Sequence, residues 1–464
     1  MPMKITEYFR YLSLKPFDIE SEAGRAHERY RLALLTAISS LCSKGIMMLV
    51  MLVSVRISLP HLGVDRFGVW MTIASLVGLL NFLDFGIGNA LTNRVALYAA
   101  PANAKHLRKC VGASLFILGV ASVIILFVLY PFAYYLPWQT ILKLPTQALY
   151  EETQSAMKLF AILFACNIFT SGINKVFFGL QQGYWANIAS AVGSVLSLVL
   201  IWLAVRSEGG ISTLLLASMT GGLIASLGLL VLLVIRNQVE FVAPAESFRL
   251  ESHYLLRVGG SFFFLQIGGI VVFGADSLIV ANALGVAVVA IYSVLQRLFQ
   301  FVTQPFSVIN SGLWPAYANA HAHDDKAFIA STLRRSMMIT VGGGLMLSGV
   351  LIVLGKPIIA WWTHGEIAVS YALLISFGLW AACDSSANAF SMFLNGVSLM
   401  RPQIKGLAAL ILIGMPLKIY LLNEYGLVAM MLGFTMFFVA NILFWIGIVY
   451  RETITSFFHE KRSI

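Results

Sequence analysis

The chain has 464 residues, of which 59% are hydrophobic and only 11% charged, and its mean hydropathy is +0.84. A water-soluble protein of this length could not cover so much apolar surface. The net charge of +10 needs no nucleic-acid partner, because cations that set topology and face anionic lipid account for it.

Residues 1–31 read as a cytoplasmic segment. They carry Glu20, Glu22, Arg25, Glu28, Arg29 and Arg31 and lack the apolar core of a cleavable signal. Tyr8, Phe9, Tyr11 and Leu12 give part of this segment the character of a surface helix. Twelve stretches follow, each near the roughly 20 helical residues that cross a hydrocarbon core of about 30 Å. The first six are 34–59, 67–91, 110–136, 156–179, 185–206 and 211–235. A polar linker at 236–257 separates them from 258–283, 287–313, 333–355, 368–395, 404–423 and 427–450. The expected fold is therefore an all-α polytopic membrane protein with twelve transmembrane helices in two pseudo-symmetric six-helix lobes. Its divisions are 1–31, an N-lobe at 32–235, the linker at 236–257, a C-lobe at 258–450 and a cytoplasmic tail at 451–464.

The two halves repeat. Leu62-Gly63-Val64 with Val69-Trp70 recurs as Leu284-Gly285-Val286 with Ile291-Tyr292, and Glu208-x-Gly210 recurs as Glu424-x-Gly426. With the N-terminus inside, cytoplasmic segments hold 21 Lys and Arg against 4 outside (Arg66, Lys143, Arg206 and Lys356). This split predicts that both termini are cytoplasmic. Each half then starts inside, so the repeat is parallel, and a cavity between like halves is the usual setting for alternating access.

Ionisable residues inside spans are costly and mark function or pairing. Lys44 lies about 18 Å and Arg297 about 15 Å into their spans at 1.5 Å per residue. The repeat sets Gln266 opposite Lys44. Lys44, Gln266 and Arg297 together read as a central polar cluster, either a cationic site for a phosphate-like group or buried cations satisfied structurally. Arg56 and Asp276 are expected at similar depth, as a gate pair or as separate snorkelling and paired groups. Asp84, Lys175 and Asp384 are candidates for gating or for Na+ or H+ coupling, against the plainer reading of local ion pairs. Lys158 and Lys418 lie near outer ends and are expected to snorkel.

Cys42, Cys110, Cys166 and Cys383 fall in spans without metal spacing, and no phosphate-binding loop, metal motif or hydrolytic triad is present. No catalytic residue, metal or cofactor is expected, and connections of about 20 residues or fewer leave no room for a catalytic domain. A glycan-polymerising membrane enzyme, which needs a large external loop, fits poorly for that reason. A non-transporting scaffold would have no use for midplane cations.

The runs Leu62-Gly-Val-Asp-Arg-Phe-Gly-Val-Trp70 and Leu79-Leu-Asn-Phe-Leu-Asp-Phe-Gly-Ile-Gly-Asn-Ala-Leu-Thr-Asn-Arg94 resemble the first hairpin of the Wzx-type oligosaccharide flippases. That family belongs to the multidrug/oligosaccharidyl-lipid/polysaccharide (MOP) superfamily. The resemblance implies a MATE-like fold in the bacterial inner membrane and no enzyme activity. It implies as cargo a polyprenyl-pyrophosphate-linked oligosaccharide for surface polysaccharide or O-antigen (lipopolysaccharide) assembly. Membrane lipids and other glycan-assembly membrane proteins would be its partners. A cation-coupled multidrug exporter of the same superfamily is the alternative.

Overall fold

The structure is a computed structural model and describes residues 22–78, 87–98, 103–240, 253–254, 270–322, 325–397 and 399–460. Its elements are almost wholly helical. In chain order they are α1 (Glu22–Gly78), α2 (Ile87–Tyr98), α3 (Ala104–Tyr135), α4 (Trp138–Ile141), α5 (Gln147–Gly179), α6 (Gly183–Arg206) and α7 (Ile211–Ile235). After a π-helical turn at Ile270–Gly274 come α8 (Asp276–Leu284), α9 (Val286–Ala322), α10 (Lys326–Trp362), α11 (Tyr371–Gly396) and α12 (Met400–Ala409). A second π-helical turn, Leu410–Gly414, leads into α13 (Met415–Glu460). Among the described residues, eight helices are long and apolar enough to cross a membrane. Two of the eight, Leu34–Leu76 and Gln403–Trp445, each cover two of the stretches read separately in the sequence.

Both of those long helices turn at a glycine. Gly63 has φ 73° and ψ 167°, and Gly426 has φ 80° and ψ −171°. Gly285, the repeat partner of Gly63, closes α8 with φ 87° and ψ 167°. The Leu-Gly-Val echo is thus one backbone corner used twice, in a region open essentially to glycine alone. The Glu-x-Gly echo behaves differently. Its first copy turns with Glu208 at φ 54°, while Gly210 stays extended at φ −81°; its second copy turns at Gly426.

The chain divides into two compact units. The first comprises residues 1–62, 73–139 and 145–267, and the second 63–72, 140–144 and 268–464. In the first unit α5 packs on α3 and α7, and α6 on α7. Small residues permit the close approach: a side chain on Gly221 would collide with Gly193 and Ser197. The Ser197 hydroxyl donates to the Ser218 carbonyl (2.9 Å), and the Asn174 amide donates to Ser226 (3.2 Å). Glu152 on α5 accepts from the Ile211 N–H at 2.8 Å, so a carboxylate meets the positive end of α7. At the start of α1, before its membrane-crossing part, Arg31 donates to Glu28 (2.8 Å), and this bond holds the guanidinium pKa above its ordinary value.

In the second unit α11 is the central helix, packed on α9, α10 and α13. Its start is capped by Ser370, which accepts from the Leu373 N–H (3.2 Å), as Asp325 caps α10 by accepting from Phe328 (2.9 Å). Trp380, Phe434 and Phe438 form an aromatic cluster with ring centroids 5.0–6.3 Å apart. Pro416 has no N–H to offer the preceding turn, and the π-helical turn at Leu410–Gly414 absorbs the interruption.

Gly63→Ala and Gly285→Ala should each destabilise the protein by about 1–3 kcal/mol. A lowered thermal midpoint in detergent would show it, and Gly45→Ala, where nothing lies within 4 Å, is the control.

Candidate functional site

Hydrocarbon supplies no hydrogen bonds, so a polar side chain in a span needs a protein partner, water or a ligand. Most described hydroxyls here bond back to their own helix, as Thr72 does to the Gly68 carbonyl and Ser122 to the Leu118 carbonyl. Asn310 and Asn388 pair across α9 and α11 at 3.2 Å. The charged residues divide into those with partners and those without.

Lys418 is the clearest case with partners. It is 1% exposed, so it does not snorkel as its sequence position suggests. Its ammonium donates to Asp276 Oδ1 (2.7 Å) and to the Val272 carbonyl (3.0 Å), and it sits 3.8 Å from the centroid of the Phe434 ring. The Tyr292 hydroxyl donates to Asp276 Oδ2 at 2.9 Å. The acid expected beside Arg56 therefore has Lys418 and Tyr292 as its partners. The arrangement follows from the break in the chain at 275: α8 starts at Asp276, which places a carboxylate in the first turn of a helix. From the sequence Lys418 is expected only to snorkel, and Tyr292 enters only as part of the repeat motif. The available signal was an acid and a base near the same end of two spans.

Arg297 lies on α9 among buried Val294, Leu295, Leu298 and Phe299 and is half-buried itself. Among the described residues no carboxylate lies within ion-pair distance of it. Asp384, half-buried on α11, and Lys44, half-buried on α1, are likewise without an ion-pair partner among the described residues. Arg56 and Lys175, both half-buried, do engage neighbours, and the Lys175 carbonyl accepts from Thr92 (3.3 Å). Lys158 stands over the Tyr134 ring at 4.7 Å. Gln266 and Asp84 lie outside the described residues. No cluster of His, Cys, Asp and Glu able to hold a metal occurs among the described residues. The sequence reading also passed over Gln296, Gln300 and Gln304, which recur every fourth residue beside Arg297.

A family model described as polysaccharide biosynthesis protein matches residues 31–321. A Yersinia pseudotuberculosis protein named for O-antigen export is 20% identical over 443 residues, covering 92% of this chain and 98% of its own length. A Salmonella typhi protein named as an O-antigen transporter is 24% identical over 431 residues, covering 90% and 95%. Among solved structures, an inward-facing multidrug resistance MATE family transporter of the MOP superfamily superposes with a TM-score of 0.75 at 16% identity, covering 90% of this chain and 98% of that one. The lipid II flippase MurJ in an inward closed conformation gives 0.69 at 14% identity, covering 90% and 87%. The fold is thus MATE-like.

Removing one member of a buried ion pair strands the other charge, at a cost of about 3–5 kcal/mol. Lys418→Met should lower abundance and thermal midpoint accordingly. Lys158→Met, at a half-buried position, should change neither, and comparing the two variants by detergent melting checks the assignment. The match over 31–321, more than half of the chain, shows that it belongs to the polysaccharide biosynthesis protein family.

Proposed function

We propose that this protein is a transporter that moves a polyprenyl-pyrophosphate-linked oligosaccharide from the cytoplasmic to the periplasmic leaflet by alternating access, for O-antigen or related surface polysaccharide assembly. The observation that carries the reading is Arg297. It is a half-buried guanidinium in a helix long and apolar enough to span a membrane, and no described carboxylate pairs with it. A cation so placed needs an anion, and a planar guanidinium fork fits phosphate oxygens. Family membership and relatives named for O-antigen export support a lipid-linked glycan as the bearer of that phosphate.

In this reading the chain forms two six-helix lobes in the inner membrane with both termini cytoplasmic. Arg297 takes the pyrophosphate, and Lys44 adds a point charge from the first half with Gln266 as its repeat counterpart. The polyprenyl tail never leaves the lipid, so the protein has only to shelter the head group. Asp384 is the candidate for Na+ or H+ coupling with most in its favour, because it has no cation beside it among the described residues. Asp84, Arg56 and Lys175 retain gating roles, and Asp276 acts with Lys418.

Arg297→Ala should abolish surface glycan at normal protein abundance. Arg297→Lys should retain part of it, since the charge survives and the fork does not. Each lost charge-assisted hydrogen bond should weaken lipid-phosphate binding by about 1.5–3 kcal/mol. Surface glycan staining checks the outcome together with an assay for lipid-linked oligosaccharide accumulating on the cytoplasmic leaflet. Wild-type glycan in Arg297→Ala would refute the assignment. Unchanged glycan with altered drug resistance in a gene deletion would favour multidrug export.

A further inference from the structure

Next to Arg297, α9 carries a row of amides. Gln296, Gln300 and Gln304 follow one another at four-residue spacing, which aligns them on one helix face. Gln296 is exposed, and Gln300 and Gln304 are half-buried. The helix around them, Val286–Trp314, is long and apolar enough to cross a membrane. None of the three side chains has a hydrogen-bond partner among the described residues, although other amides in the second unit do: Asn310 pairs with Asn388 and Gln403 with Asn395. Each free amide would cost several kcal/mol against lipid. This face is therefore built to meet water or a polar ligand.

The repeat sharpens the point. The first-half counterparts of Gln296, Arg297, Gln300 and Gln304 are Ala74, Ser75, Gly78 and Phe82. At these four positions the second half alone carries amides and a cation, so the repeated sequence pattern does not demand them. An amide both donates and accepts and bears no charge. That is the chemistry that matches sugar hydroxyls. The row spans eight residues, about 12 Å of helix, which is enough to meet more than one hydroxyl-bearing ring.

Resting on the reading of the cargo as a lipid-linked glycan, we propose that Gln296, Gln300 and Gln304 form a sugar-recognition track. Arg297 holds the phosphate, and the glutamines read the sugars nearest to it. Arg297 then sets affinity for any polyprenyl pyrophosphate, and the glutamine row sets preference for the glycosylated form and for which glycan is carried.

The test measures binding of purified full-length protein in detergent to two probes, undecaprenyl pyrophosphate and the same lipid bearing one sugar repeat unit. Wild type should prefer the glycosylated probe. In Gln300→Leu/Gln304→Leu that preference should fall at least about tenfold, equivalent to 1.4 kcal/mol, with binding of the bare lipid unchanged. Arg297→Ala should weaken both probes alike. Leucine suits a span, so the double variant should keep its melting temperature, and Gln300→Asn/Gln304→Asn should recover part of the preference. A double variant that binds both probes as wild type does overturns the track. Bare-lipid binding that Arg297→Ala leaves intact would instead overturn the phosphate site, a distinct result.

Discussion

A membrane interior gives a polar group nothing to bond to, and this single constraint organises the molecule. It makes the backbone helical and forces serine and threonine hydroxyls onto carbonyls of the preceding turn. It also requires that an interrupted helix find its partners nearby. The break before Asp276 shows the rule at full strength. Where the helix is interrupted, the Val272 carbonyl accepts from Lys418, and the same ammonium is held by Asp276 and the Phe434 ring. Three donors meet three acceptors, and a fully buried lysine becomes tolerable. Against this background a polar side chain left without a partner is informative. Among the described residues Arg297, Gln300, Gln304 and Asp384 have no ion-pair or side-chain hydrogen-bond partner, which sets them apart from Lys418.

The corner glycines were legible in the sequence. Gly63 of Leu62-Gly63-Val64 and Gly285 of Leu284-Gly285-Val286 have nearly the same backbone angles, since that conformation admits essentially one residue type and leaves its mark on the chain. The Glu-x-Gly echo was legible as a turn and not as a geometry, because either glutamate or glycine can enter positive φ there. The stretches that hydropathy separates around 60–66 and 424–426 meet at the corners of Gly63 and Gly426, where the backbone leaves helical geometry.

Lys418 marks where sequence reasoning failed. Its depth was judged from the residues between it and a span end, on the assumption that a lysine near an end reaches water. Whether it can do so depends on what packs over it, and Phe434 and Asp276 are 16 and 142 residues away in the chain. The same rule sets Arg297 apart, because its depth leaves snorkelling out of reach. The glutamine row is visible in the spacing, but its significance is not: uncharged amides are cheap in water and costly in lipid only when unpaired, which spacing does not reveal.

The partners and the vacancies share one asymmetry. Asp276, Tyr292 and Lys418 correspond in the first half to Ser54, Trp70 and Trp202. Ser54 bonds within its own helix to the Met51 carbonyl, the buried Trp70 indole N–H has no partner among the described residues, and Trp202 is 45% exposed. At these corresponding positions the first half has no ion pair among the described residues, so the repeated fold does not itself require the pair. Replacing such a pair with apolar residues is often neutral or stabilising, and stability alone therefore does not explain why it is kept. Tyr292 ties it to the start of α9, the helix that five residues later bears Arg297 and then the row of glutamines. The satisfied charges hold that helix, and the groups on it with no partner among the described residues are the ones we assign to the cargo.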